Sequence, residues 1–271
     1  MAVVALAGGL GAPGVTTTAM ALLMAWPLAP GQRVILAECD PDGGAVLPGA
    51  LQGTVSNTYG LRNLALAGRQ GQLADAFWRQ LVDVTDEASR DRLVLPGVYD
   101  PAHTSSLGPV WEQLATLFAG IEQHQHDVLV DLGRRGAFGP SSVLAQRADA
   151  VLMVARNTLR GLQSAQVRLG ALREQLGGAT EVGLILVEAG PFGRDEVQRN
   201  LSTEVVAVLP WQPEQAAVLS DGAAQPRRFE SGELMRAART ATTRIRQMVA
   251  TRRSRLGHPG MPGGREVSNA R

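Results

Sequence analysis

Apolar and polar positions fall into two kinds of block along this chain. Short, mostly apolar runs predict buried strands at Ala2 to Ala7, Arg33 to Ala37, Arg92 to Leu95, His126 to Leu132, Ala150 to Ala155, Val182 to Val187 and Val205 to Leu209. Longer segments with apolar residues at steps of three and four predict helices at Thr16 to Trp26, Gly60 to Leu66, Gln72 to Leu81, Ser106 to Gln123, Leu159 to Leu176, Arg194 to Leu201 and Glu233 to about Arg255. Strand and helix alternate without a break in composition and without an internal repeat. This is the pattern of an α/β protein, a mostly parallel sheet with helices on both faces, in one domain over residues 1–256. Residues 257–271, with G-H-P-G-M-P-G-G-R, are too rich in Gly and Pro to pack and are expected to form a disordered tail.

Composition changes this picture in three places. The net charge of +1 argues against a generally nucleic-acid-binding surface. The single cysteine, Cys39, excludes an internal disulfide, and His103, His124, His126 and His258 read as surface or strand-edge residues rather than metal ligands. No apolar stretch approaches 18 residues and no positively charged region precedes the first apolar run, so the expected location is the cytoplasm. All 26 basic residues counted as Lys or Arg are arginines. The last helix is expected to dock through Leu234, Ala238, Ala241, Ile245 and Met248 and to leave Arg236, Arg239, Arg246, Arg252 and Arg253 exposed.

The candidate chemistry begins at Gly8 to Thr18, G-G-L-G-A-P-G-V-T-T-T, between the first strand and the first helix. Amides of a glycine-rich turn at a helix N-terminus converge on an anion, favoured by the helix dipole. The spacing is that of G-x-x-x-x-G-K-[ST], with Gly9 and Gly14 as the glycines and Thr16 as the hydroxyl for a magnesium ion. Val15 stands in the lysine's place. Pro13 removes one amide from the turn. Two acidic clusters close later strands: Glu38-Cys39-Asp40-Pro41-Asp42 and Asp131 before Gly133, the latter followed by Arg134 and Arg135. Open α/β sheets place ligand chemistry at such strand ends.

Taken in order, these motifs resemble the ParA/MinD family of P-loop ATPases, whose loop has the form K-G-G-x-G-K-T-T and whose next strand ends in D-x-D-P. Gly9, Gly11, Ala12, Gly14, Thr16 and Thr17 match the loop, Glu38 to Pro41 the first acidic motif, Asp131 to Gly133 the second, and Leu209-Pro210-Trp211 a late strand ending near the nucleotide base. The similarity spans about residues 2 to 250. It implies ATP held by Gly9, Gly11, Ala12, Gly14, Val15, Thr16 and Thr17, Mg2+ near Thr16, Asp40 and Asp131, and Asp40 orienting the attacking water, with Glu38 in place of the first aspartate. The family's signature lysine, which reaches the partner's nucleotide across a dimer, falls on Leu10, and its ordinary loop lysine falls on Val15. Loss of the lysine resembles the TadZ/CpaE-like branch, which positions pilus and secretion machinery at the cell pole.

The resemblance implies a nucleotide-binding spatial organiser, for partitioning or polar positioning of DNA, pilus or secretion machinery, with weak or no ATP hydrolysis. The partner would be a protein of such a system. A homodimer stays open, and the C-terminal arginines offer a contact for DNA backbone or anionic lipid, against the simpler reading of a solvated face. A non-enzymatic adaptor with the same fold and an empty pocket is the alternative, and an active ATPase requires a cation that no lysine supplies.

Overall fold

A computed structural model describes residues 2–9, 11, 14–56, 58–85, 89–121, 125–178 and 180–257. Its elements in chain order are β1 (Val3–Gly8), α1 (Val15–Ala25), β2 (Arg33–Glu38), α2 (Leu61–Arg69), α3 (Leu73–Arg79), β3 (Val82–Asp83), β4 (Arg92–Leu95), α4 (Gly108–Gly120), β5 (His126–Asp131), α5 (Ser142–Gln146), β6 (Ala150–Arg156), α6 (Leu159–Leu176), β7 (Glu181–Glu188), α7 (Arg194–Leu201), β8 (Val205–Pro210), α8 (Pro213–Asp221) and α9 (Glu233–Arg255). The eight strands form one sheet in the order β3-β4-β2-β5-β1-β6-β7-β8, and only β3 runs antiparallel to its neighbour.

The strands read as continuous apolar runs because both faces of the sheet are covered. Along β1, Val3, Ala5 and Ala7 enter one apolar layer with Phe77, Trp111, Phe118 and Leu169, while Val4 and Leu6 enter the opposite layer with Leu22, Trp26, Ile245 and Val249. The first layer is built by α2 to α7 and the second by α1, α8 and α9. Parallel pairing of β1 with β5 and β6, and of β5 with β2, brings the C-terminal ends of these strands to one edge. That edge carries the glycine loop and both acidic motifs.

Several expectations change in detail. The segment expected to be helical from Ser106 begins as a 3-10 turn, Pro101–Leu107, and becomes α-helical at Gly108, because Pro109 fits the first turn of a helix, where no amide partner is needed. His126 is buried at the start of β5 against the Trp78 ring, not at the surface. His124, His258 and residues 258–271, where the tail was expected, lie outside the described residues.

The last helix occupies the expected span and buries Leu234, Ala238, Ala241 and Ile245, with Met248 half-buried. Its arginines divide. Arg236, Arg239 and Arg246 are exposed, as expected, but Arg252 and Arg253 are 17% and 22% exposed and pair with Asp149 at 3.3 and 2.8 Å. The carboxylate of Asp149 also accepts the Val3 amide at 2.9 Å. A carboxylate sunk at the sheet edge recruits the nearest cations, which corrects the expectation of free charges there.

Candidate functional site

Gly14 caps α1 with φ 86° and ψ 43°, a left-handed conformation that glycine adopts without steric cost. It delivers Thr16 into the first turn of α1, beside the end of β5. There the Thr16 hydroxyl donates to Oδ2 of Asp131 at 2.6 Å, while Oδ1 of Asp131 accepts the Gly133 amide at 2.8 Å. The Gly133 carbonyl in turn accepts the Gly8 amide at 2.8 Å, so the β5 loop is tied to the start of the glycine loop.

Gly133 has φ 52°, and a Cβ on it would lie 1.7 Å from Oδ2 of Asp40. Only glycine lets the first and second acidic motifs meet. Asp40 itself accepts the Asp42 amide at 2.9 Å through Oδ1 and is held also by the Arg134 amide. Thr16, Asp131 and Asp40 thus lie at one edge of the sheet, brought there by α1, β5 and the β2 loop.

Burial governs the charge of these acids. It raises the Asp131 carboxyl to about 7 against the opposing pull of the Thr16 and Gly133 hydrogen bonds, with Glu38 and Asp40 adding like-charge repulsion. Asp40 is raised for the same leading reason, and the buried Cys39 thiol is pushed well up, first by burial and then by Asp131. Cys39 is therefore an apolar neighbour and not a nucleophile.

Glu38, the first acid of the β2 motif, is held by backbone amides. Its Oε1 accepts the amides of Ala45 at 2.8 Å and Val46 at 3.0 Å, and its Oε2 the amide of Gly97 at 3.0 Å. It fastens the β2 and β4 loops together, with burial raising its carboxyl and those three amides lowering it.

The remaining loop residues divide as follows. Gly9 and Gly11 line a cleft of about 490 Å³ with Arg156, Thr158, Arg160, Gly161 and Trp211. Gly14 and Thr17 line a second, of about 250 Å³, with Arg156, Val187, Leu209, Pro210 and Trp211. Val15 is buried in the apolar layer with Leu6 and Leu22 and lines neither cleft. Leu10, Ala12 and Pro13 lie outside the described residues. Arg134, which follows the second acidic motif, pairs with Asp42 at 3.2 Å, as Arg135 does at 3.7 Å.

Sequence reasoning missed Arg156 and Arg160. Arg156 ends, and Arg160 follows, a strand that only the sheet order shows to be next to β1, so their proximity to the loop has no local signal.

No protein-family model matches the sequence, and no curated protein matches it either. Solved structures match over nearly the whole fold. The MinD cell division protein of Aquifex aeolicus is 17% identical, with 91% of this chain and 98% of that chain covered and a TM-score of 0.65. A ParA family ATPase from Chlorobium tepidum TLS is 13% identical, with 89% and 97% covered and a TM-score of 0.66. The septum site-determining protein MinD from Pyrococcus horikoshii OT3, solved as a complex with Mg-ADP, is 14% identical, with 93% and 98% covered and a TM-score of 0.66. At such identities the likeness is one of fold: the chain has the MinD/ParA type of P-loop fold.

Proposed function

We propose that this protein is a ParA/MinD-like nucleotide-binding spatial organiser with weak or no ATP hydrolysis. The observation that carries the reading is the convergence of Thr16, Asp131 and Asp40 beside a glycine-capped helix N-terminus. Backbone amides supply much of phosphate binding in such a loop, so affinity for ATP survives without a lysine. The oxygen donors fit magnesium, a hard cation commonly held by one or two carboxylates together with phosphate oxygens. Among the described residues no group of three or more His, Cys, Asp or Glu forms a metal cage, so the ion would arrive with the nucleotide rather than bind alone.

In this reading Thr16 and Asp131 would hold a magnesium ion, which would supply neutralisation of phosphate charge, and Asp40 would orient water at the exposed end. Hydrolysis is weak because Leu10 and Val15 replace both lysines. Losing one preorganised donor to developing charge lowers a rate by about 10²- to 10³-fold. The fold neighbours include cell division and plasmid partition proteins, which supports an organising role in the cytoplasm with a protein partner; placement in the TadZ/CpaE-like branch rests on the missing lysine alone.

One observation favours the empty-pocket adaptor. Thr16 and Asp131 already satisfy each other at 2.6 Å, and Val15 is packed into the core. Equilibrium binding of a fluorescent ATP analogue, with magnesium and with chelator, separates the two readings: saturable, magnesium-enhanced binding supports the organiser, and no binding in either condition leaves the adaptor. Phosphate release well above background would replace both with an active ATPase.

A further inference from the structure

Among the described residues, the cleft of about 490 Å³ beside Gly9 and Gly11 is lined by two arginines and by no carboxylate. Arg156 ends β6 and Arg160 stands in the first turn of α6. Their position follows from register: Gly8 of β1 lies opposite Val154 of β6, so two further residues bring Arg156 level with the start of the glycine loop. Its guanidinium lies 4.8 Å from the centre of the Trp211 ring, and the same side chain also lines the neighbouring cleft with Gly14 and Thr17. Arg156 is half-buried and stands where the two clefts flanking the loop meet.

We infer that Arg156 and Arg160 supply, from the corner between β6 and α6, the positive charge that the glycine loop lacks, and that they bind the terminal phosphates of a polyphosphate ligand. The inference rests on the nucleotide-binding reading for the identity of that ligand, but the anion site itself does not. A guanidinium presents a planar fork of donors that matches two phosphate oxygens at once, and stacking on an indole ring holds the fork in one plane. Arg160 adds a second cation with no carboxylate in ion-pair range among the described residues, unlike Arg134 and Arg135, which are engaged by Asp42. Thr158 caps α6 through the Gly161 amide, so the positive end of that helix dipole opens on the same cleft. Charge lost from the loop is thus restored by a neighbouring strand end.

Calorimetric titration of the full chain with ATP, AMP and inorganic triphosphate tests this, on the unmodified protein and on Arg156→Gln, Arg156→Lys, Arg160→Gln and the control Arg135→Gln, each checked for folding by thermal melting. Arg156→Gln and Arg160→Gln are each expected to lose about 10-fold or more in affinity for ATP and for triphosphate, the scale of a charge-assisted hydrogen bond. AMP should change by less than about 2-fold, Arg156→Lys should fall in between, and Arg135→Gln should match the unmodified protein. ATP affinity unaltered by both glutamines overturns the inference and leaves the nucleotide reading standing, and so does an equal loss for AMP. Arginine-dependent binding of triphosphate without binding of ATP keeps the anion site and removes the nucleotide reading. Binding of neither compound removes both.

Discussion

Asp131 is the residue on which the site turns. Its raised carboxyl, near 7 against an ordinary 3.8, means that the folded protein holds a proton which the unfolded chain has already released. Stability from this group is therefore full below about pH 4 and falls as pH rises toward 7. Asp131→Asn should flatten that decline, and melting temperatures from pH 5 to 8 check it: parallel profiles for the two proteins would mean the carboxyl titrates normally. Glu38 makes a separate prediction. Glu38→Ala strands two buried amides, those of Val46 and Gly97, and releases the part-buried amide of Ala45, so it should lower stability by about 2–3 kcal/mol without selectively affecting magnesium-dependent binding. Denaturant unfolding measures the first effect, and titration with and without magnesium measures the second. Thr16 and Asp131 were legible as a pair because each sits in a motif; the fastening role of Glu38 was not, since its partners Ala45, Val46 and Gly97 have no side-chain signature.

At the level of elements, legibility followed length and periodicity. The spans of β4, α6, α7 and α9 follow directly from the pattern, because each has a clear period and clear ends. The five-residue α5 and two-residue β3 are too short to show any period. Only Leu219 is fully buried in α8, so that helix carries no apolar stripe to read. The buried stripe of α9 makes a direct prediction: Ile245→Ala should cost about 2–5 kcal/mol, the range for truncating a packed core side chain, measured by chemical denaturation. Arg252 and Arg253 illustrate the limit of pattern reading. Their spacing placed them on the solvent side of α9, and what draws them in is Asp149, more than a hundred residues away in sequence.

For the whole molecule, alternation of strands and helices was sufficient to give the α/β class, but not the strand order that places Arg156 beside the loop. The exposed arginines left on α9, Arg236, Arg239, Arg244, Arg246 and Arg255, define what a DNA or lipid contact would have to use, since Arg252 and Arg253 are committed to Asp149. If these arginines bind, substitution of all five with Ala should abolish a salt-sensitive association with DNA or anionic vesicles. Absence of association at low salt in the unmodified protein would remove the idea.

The central claim is that the glycine loop binds a magnesium nucleotide through Thr16 without a lysine. Calorimetric titration of ATP into the unmodified and Thr16→Ala proteins, each with magnesium and with chelator, tests it most directly. The account predicts that Thr16→Ala weakens binding about 10-fold in magnesium, the scale of one charge-assisted contact, and far less in chelator. Equal weakening in both conditions, or no binding by the unmodified protein, would contradict it.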